Sequence, residues 1–167
     1  MRQVATGTRA TVLLSSAGVA FRLHPYDHSR DGAAPGHGFG EQAAAALDVV
    51  PERIFKTLIA AVDARLTCAV VPVARRLDLK ALAASVRGKR AELADPAVAT
   101  RATGYVLGGI SPLGQRSPMP VVLDSSASSF ETVYVSAGRR GLQVELAPAD
   151  LARLTAAVLA PIATSAE

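Results

Sequence analysis

The stretch IFKTLIAAVDARLTCAVVPV, residues 54–73, decides the fold. In its first half, every second residue would lie on one face of a strand: Ile54, Lys56, Leu58, Ala60 and Val62. A helix that begins at Pro51 is the alternative interpretation. We favour the strand, because a turn at 63–65 and the apolar run 66–73 then complete a β-hairpin that a long helix would leave unexplained.

Short helices and strands are predicted on both sides of this hairpin. Capping residues, prolines and apolar spacing indicate helices at 9–17, 41–47, 78–86, 96–103 and 148–159. Alternating or apolar segments indicate strands at 21–26, 90–93, 105–107, 121–124, 132–136 and 142–146. A glycine-rich loop is expected at 29–40. Since these strands follow no βαβ rhythm, the sequence predicts an α+β (mixed α/β) fold, with a mainly antiparallel sheet or partial barrel flanked by helices.

Length and composition predict a single domain and an interior thiol. The chain has 167 residues, half of them apolar, which suffices for one core, and we expect residues 1–167 to form one domain. Cys68 is the one cysteine of the chain, which excludes a disulfide framework. Because it lies in an apolar run, we expect a reduced interior thiol and a cytoplasmic protein. The N-terminal residues resemble a signal peptide only weakly, and an amphipathic helix is the better interpretation. No segment is long and apolar enough to predict a membrane span.

The positive charge of the chain is carried mostly by arginine. The net charge is +4, and three basic clusters lie beside predicted turns: Arg75–Arg76, Arg87 to Arg90, and Arg139–Arg140. They are either solvated surface charge or contacts to a phosphate backbone. The chain has no Trp and few other aromatic residues, which argues against a base-stacking ladder. If nucleic acid binds, we expect phosphate contacts to dominate.

Lys56 is the first candidate functional residue. On the predicted strand its ammonium would lie between Ile54 and Leu58 on an apolar face, which is costly without a partner or a lowered pKa. Either the side chain extends to the rim of the sheet, or it binds a carbonyl, carboxylate or phosphate in a pocket. The pattern alone leaves both open.

The segment GGISPLG, residues 108–114, is the second candidate. Glycine lets backbone N–H groups approach a ligand, and proline stiffens the loop between them. A serine-hydrolase elbow at Ser111 is excluded, because Pro112 lacks the N–H that would bind an oxyanion. The candidate donors are therefore the N–H groups of Gly108, Gly109, Ile110 and Ser111.

Three histidines and two aspartates lie close together near the N-terminus: His24, His28, His37, Asp27 and Asp31. A metal site would need aligned ligands, but the pair four residues apart straddles the end of a predicted strand and is separated by Pro25. We therefore expect exposed loop histidines rather than a metal site.

Several motifs together resemble one family. They are PYDH at 25–28, GFGE at 38–41, FKTL at 55–58, LADP at 93–96, TGYVLGGISPLGQ at 103–115 and YVSAGRRGL at 134–142. In this order they resemble the freestanding aminoacyl-tRNA deacylases of the YbaK/EbsC type, which are similar to the editing domain of bacterial prolyl-tRNA synthetases. The resemblance implies an editing-domain fold and a cofactor-independent hydrolase that releases cysteine from mischarged tRNA(Pro), beside a transiently bound prolyl-tRNA synthetase.

The resemblance also implies roles for individual residues. Lys56 matches the pocket lysine, and Gly108 and Gly109 match the loop whose N–H groups face the ester. The matching substrate-binding positions are Tyr26, Phe39, Thr57, Ile110, Ser111, Ser136 and Gln143. The implied chemistry needs no protein nucleophile, because the thiol of the cysteinyl substrate attacks its own ester carbonyl.

Three departures from the family pattern bear on specificity. The loop 29–38 is longer than expected, Ala137 replaces a usual glycine, and Gln143 replaces a usual aspartate. Because an amide carries no charge, an ionic contact to the substrate ammonium is not available there. A deacylase for alanyl or seryl tRNA, a non-catalytic module that binds tRNA or a synthetase, and an unrelated small-molecule hydrolase or metal-binding protein remain open alternatives.

Overall fold

The computed structural model describes residues 7–27 and 38–165 and arranges them in five helices and eight strands. The helices are α1 (Arg9–Ala17), α2 (Phe39–Leu47), α3 (Leu79–Ser85), α4 (Pro96–Thr103) and α5 (Pro148–Thr155). The strands are β1 (Phe21–Pro25), β2 (Phe55–Val62), β3 (Arg65–Pro72), β4 (Ala91–Leu93), β5 (Val121–Asp124), β6 (Val133–Arg139), β7 (Leu142–Leu146) and β8 (Val158–Ala160). Short 3₁₀ helices cover Pro51–Arg53 and Ser125–Ser129.

The predicted hairpin forms the centre of the larger of two sheets. Strands β2 and β3 pair antiparallel, from Phe55 opposite Pro72 to Val62 opposite Arg65. The five-stranded sheet has the order β4-β2-β3-β5-β8, and the three-stranded sheet has the order β1-β7-β6. The α+β prediction is confirmed. The larger sheet also contains parallel pairs, because β5 pairs parallel with both β3 and β8.

Several elements differ from the sequence prediction. Helix α2 begins at Phe39 rather than at 41, within the segment expected to be a loop, and β6 continues to Arg139 rather than ending at 136. Residues 105–107 form no strand, because the buried Tyr105 hydroxyl donates a hydrogen bond to the Leu113 carbonyl at 2.6 Å and ties this segment into a loop. The terminal helix ends at Thr155 rather than at 159, since Ala156 adopts the left-handed conformation. The residues after it form β8, whose pairing with β5 is a long-range contact that local sequence does not encode.

The two sheets face each other across the main core. Buried residues from both sheets meet there, including Phe55, Val70, Val135 and Val144, and α1 adds Leu14. A second core packs α3 against the other face of the larger sheet. In the described ranges no helix has the length and apolar character needed to cross a bilayer.

A third, smaller core places α2 over the outer face of the three-stranded sheet. It contains Ala43 and Ala44 of α2, Ile54, Val73 and Tyr134. Gly40 allows the close approach, because a Cβ there would come within 2.4 Å of a Val73 side-chain carbon. This packing brings the start of α2 to the start of β2, where the cavity lies.

Candidate active site

A cavity of about 350 Å³ lies beside the first residues of β2. Its wall combines that strand with the start of α2, the loop after α4, and strands β6 and β7. Eight sequence-predicted residues line it: Tyr26, Phe39, Lys56, Thr57, Gly108, Ile110, Ser136 and Gln143. The fold therefore brings Lys56 and the glycine loop to the same cavity.

The cavity exists because β2 is paired over only part of its outer edge. Strand β4 pairs with Ala60 to Val62 and leaves the first residues of β2 unpaired on that side. The Ile59 carbonyl accepts a hydrogen bond from Ala94 on the same side. Since ladder groups point the same way at every second residue, the N–H and C=O of Thr57 also point toward this open edge.

Lys56 is half-buried on the cavity wall. Burial lowers the pKa of its ammonium, the positive charge of Arg76 lowers it further, and the carboxylate of Glu41 opposes both by raising it. The side chain therefore sits between a solvated and a buried environment, as expected for a pocket cation that meets a partly charged group on a ligand.

Gly108 takes a conformation that a side chain would prevent. Its φ is +83°, and a Cβ would lie 2.8 Å from a ring carbon of Phe39 and 2.9 Å from Nε of Arg140. In the described part of the chain, the N–H groups of Gly108 and Ile110 donate to no protein acceptor. They remain available to a ligand.

Gly109 and Ser111 are not among the residues that line the cavity. The Gly109 N–H donates to the Val106 carbonyl at 2.9 Å, and a Cβ there would lie 2.8 Å from Cα of Arg139. Ser111 is fully buried, and its Oγ accepts the Leu113 N–H at 3.1 Å. Of the four candidate N–H donors, Gly109 is thus already engaged within the loop, and both residues shape the loop rather than the cavity surface.

Other contacts hold the glycine loop in place. The Gln115 amide donates to the Ser111 carbonyl at 3.0 Å, and Nε of Arg9 donates to the Gly114 carbonyl at 2.8 Å. Burial also raises the pKa of Tyr105, which anchors this loop, to about 12. A loop fixed at several points can present its free N–H groups in one geometry.

Among the described residues, two buried polar atoms on the wall have no hydrogen-bond partner. They are Oγ1 of Thr57 and Oε1 of Gln143. Gln143 is only 6% exposed, so its unpaired oxygen carries a desolvation cost within the protein. Both atoms can accept from a ligand ammonium, hydroxyl or thiol. Tyr26 lies beside Gln143, and burial raises the pKa of its phenol against the opposing hydrogen bonds from Gly141 and Gln143.

Several wall residues were not singled out by sequence reasoning. They are Gly38, Gly40, Glu41, Phe55, Leu58, Val73 and Leu107. Five of them lie beside predicted site residues in the motifs GFGE and FKTL, and Leu107 lies in TGYVLGGISPLGQ, so those motifs were the signal. The departure at Ala137 is accommodated, because this residue is buried in the main core and the adjacent Gly138 provides the positive φ, +108°.

Of the described members of the histidine cluster, neither His24 nor Asp27 lines the cavity, and Cys68 does not line it either. His24 pairs through Nε2 with Glu145 at 2.9 Å, while His28, His37 and Asp31 lie outside the described residues. Within 7–27 and 38–165, no three His, Cys, Asp or Glu side chains group as metal ligands. Cys68 is fully buried, and burial raises the pKa of its thiol to about 12.

Comparison of this chain with known proteins shows its family. Residues 34–154 match the family model described as the aminoacyl-tRNA editing domain. The chain belongs to this editing-domain family. It is also 36% identical to EbsC of Enterococcus faecalis over 94% of this chain and 93% of that protein, which carries a provisional name as a Cys-tRNA(Pro)/Cys-tRNA(Cys) deacylase. The predicted family resemblance is confirmed.

Solved structures show the same editing-domain fold. The crystal structure of the hypothetical protein APE2540 is 26% identical, with a TM-score of 0.82 over 94% of this chain and all of that one. A crystal structure provisionally named as a trans-editing enzyme for prolyl tRNA synthetase is 23% identical, with a TM-score of 0.78 over 99% of this chain and all of that one. The second comparison supports the fold alone.

Proposed function

We propose that this editing-domain protein is a trans-acting deacylase that hydrolyses the ester of mischarged tRNA(Pro), with cysteinyl tRNA as the preferred substrate. One observation carries the proposal: Lys56 and Gly108 line the same cavity, whose volume of about 350 Å³ suits an aminoacyl group. The name of EbsC supports the substrate class. Such an enzyme would act in the cytoplasm, beside a transiently bound prolyl-tRNA synthetase.

The wall provides groups for each part of an aminoacyl ester. The free N–H groups of Gly108 and Ile110 are donors for the negative charge that develops on the carbonyl oxygen. The Lys56 ammonium can hold the carbonyl or the terminal ribose. Gln143 and Thr57 offer unpaired oxygens that can accept from the substrate ammonium.

The chemistry proceeds without a protein nucleophile. The substrate's thiol sulfur forms a bond to its own carbonyl carbon, the ester C–O bond breaks, and the tRNA hydroxyl leaves with the proton that the thiol gave up. Water then hydrolyses the cyclic thioester to free cysteine. The protein contributes by holding the thiol near the carbonyl and by stabilising the oxyanion, both of which lower the barrier.

The decisive experiment measures deacylation of tRNA(Pro) charged with cysteine, alanine or serine. The parent should release cysteine fastest, because only cysteine carries the attacking thiol. Lys56→Ala should slow the reaction by about 100-fold, the usual cost of losing a group that orients or stabilises the transition state. Lys80→Ala, which removes an exposed lysine on α3, is the matched control and should equal the parent.

Each result has a distinct meaning. Equal rates for the parent and Lys56→Ala would overturn the assignment of the site. Faster release of alanine or serine would overturn the cysteine preference and leave the reaction class standing. Salt-sensitive tRNA binding without deacylation by the parent would favour a non-catalytic tRNA-binding module.

A further inference from the structure

An exposed aromatic–arginine stack stands at the mouth of the cavity. The Arg140 guanidinium lies over the ring of Phe39, with its carbon 4.7 Å from the ring centroid. Nε of Arg140 also donates to the Leu107 carbonyl at 2.7 Å. Phe39 and Leu107 themselves line the cavity. Three separate segments, α2, the glycine loop and the β6–β7 hairpin, therefore meet in one small surface at the opening.

The absence of a side chain at Gly108 makes this meeting possible. A Cβ at Gly108 would collide with both the Phe39 ring and the Arg140 guanidinium. Gly108, which lines the cavity, thus also leaves the space in which the stack forms. The stack therefore lies in direct contact with the backbone of the candidate oxyanion donor, Gly108.

The stack is apolar, positively charged and open to solvent. Phe39 and Leu107 are 37% and 42% exposed, and both contact Arg140, so their apolar surface adjoins its positive charge. Arg140 is exposed and is joined by the exposed Arg139. The ion pairs found in the described ranges involve His24, Arg53 and Arg153, so the charge of Arg140 is not neutralised by a carboxylate there.

We propose that the stack of Phe39 and Arg140, with Leu107 beside it, binds the nucleobase of the terminal adenosine of tRNA. This inference rests on the proposed function and specifies how its substrate is held. A cavity of about 350 Å³ is near the small end of ligand pockets and suits the aminoacyl group, which leaves the mouth with its stack for the adjoining base. Unpaired bases stack on aromatic rings and on arginine planes, and the positive charge suits the nearby phosphate.

The test compares the affinities of two uncharged proline tRNAs that differ only in the terminal base. One ends in adenosine, and the other ends in an abasic residue with the same ribose and phosphates. The parent should bind the first about tenfold more tightly, the effect of one lost stack. Phe39→Leu keeps an apolar side chain, and Arg140→Lys keeps the charge, yet each should bring this ratio close to one.

The matched control is Arg65→Ala. Arg65 is an exposed arginine on β3 that pairs with Val62 of β2. Val62 lies six residues along β2 from Lys56, so Arg65 is about 20 Å from the cavity end of the hairpin. Arg65→Ala should slightly lower the affinity for both tRNAs and leave the ratio of the two affinities unchanged.

The ratio separates base binding from structural support. If Phe39→Leu or Arg140→Lys only loosened the loop, the affinity for both tRNAs would fall equally and the ratio would keep its parent value. That result would overturn the inference. A ratio of one in the parent would overturn it as well. A parent that deacylates without preferring the terminal base overturns this inference alone. A parent that shows the preference but no deacylation overturns only the proposed function.

Discussion

Gln143 and Glu145 lie two residues apart on β7 and face the same side of the sheet, but their side chains differ in hydrogen bonding. Every oxygen of Glu145 has a partner: Oε1 pairs with His24 at 2.9 Å, and Oε2 accepts from Thr132 at 2.6 Å and from Arg53 at 3.1 Å. Gln143, two residues earlier, has a buried Oε1 that no described residue pairs with. The Glu145 carboxylate is thus fully hydrogen-bonded within the protein, whereas the Gln143 amide oxygen is not and lies at the cavity.

This difference separates stabilising polar groups from groups reserved for a ligand. A buried hydrogen-bonding atom without a partner destabilises a fold, and a stability-driven sequence would replace it. Thr57, like Gln143, lines the cavity with an oxygen that no described residue pairs with, whereas Thr132, like Glu145, is hydrogen-bonded. The structure thus offers the same residue type in both settings, which makes the comparison testable.

The largest expected effect is on the cavity side, at Gly108. Gly108→Ala should reduce deacylation by about 100-fold, because the new Cβ displaces the Phe39 ring and the loop N–H group from their positions. Gly18→Ala is the control: φ is +69° there, but nothing lies within 4 Å of the added atom. Both should lose about 1 kcal/mol of stability from backbone strain, measured by urea unfolding. Equal deacylation rates for both variants would contradict this assignment.

The comparison is sharpened by one chemical change made at two threonines. Thr132→Val removes the hydroxyl that bonds Glu145 and Arg53 and should lower the free energy of unfolding by about 1–3 kcal/mol. Thr57→Val removes an unpaired oxygen, so stability should stay the same or rise by up to about 1 kcal/mol, while deacylation slows. Urea unfolding of both variants measures this. A Thr57→Val protein as unstable as Thr132→Val would break the comparison.

A smaller effect is expected in the acid dependence of stability. Burial would raise the pKa of Glu145, but hydrogen bonds from Thr132 and His24, and the nearby positive charges, outweigh it and lower the pKa on balance. The stabilisation is therefore complete above the unfolded pKa of about 4.3 and is lost as pH falls through the lower folded value. Glu145→Gln should flatten this acid limb in urea unfolding measured at several pH values. Gln143→Leu should leave the limb unchanged, and a limb unaffected by Glu145→Gln would refute the assignment.

The smallest expected effect is on the titration of Lys56. Its pKa, followed by NMR of the side-chain ammonium, should lie below the ordinary lysine value, mainly because of burial. Arg76→Ala should raise the pKa by removing a like charge, and Glu41→Gln should lower it by removing an opposite one. Lys80 serves as the exposed reference. Shifts of the opposite sign would show that these charges do not face Lys56.

Local sequence was sufficient for elements whose signals lie within a few residues. The hairpin at 54–73, the Asp78 and Asp95 caps and the helix that ends at Gly18 were all predicted and are confirmed. Strand β8 was missed, because a three-residue strand is stabilised by its pairing with β5 rather than by its own sequence. The composition argued against a base-stacking ladder, yet one phenylalanine and one arginine, far apart in the chain, meet at the cavity mouth.

The sequence by itself determined the alternating faces of β2, the position of Lys56 on one of them, and the glycines that free the loop backbone, because these depend on local periodicity and local conformational freedom. Only the tertiary structure decided which N–H groups remain free, which polar oxygens stay unpaired, and that Gly109 and Ser111 support the loop from behind. Those outcomes depend on the distances between segments distant in the chain, and hydrogen bonds and steric contacts are formed or lost over a few tenths of an ångström.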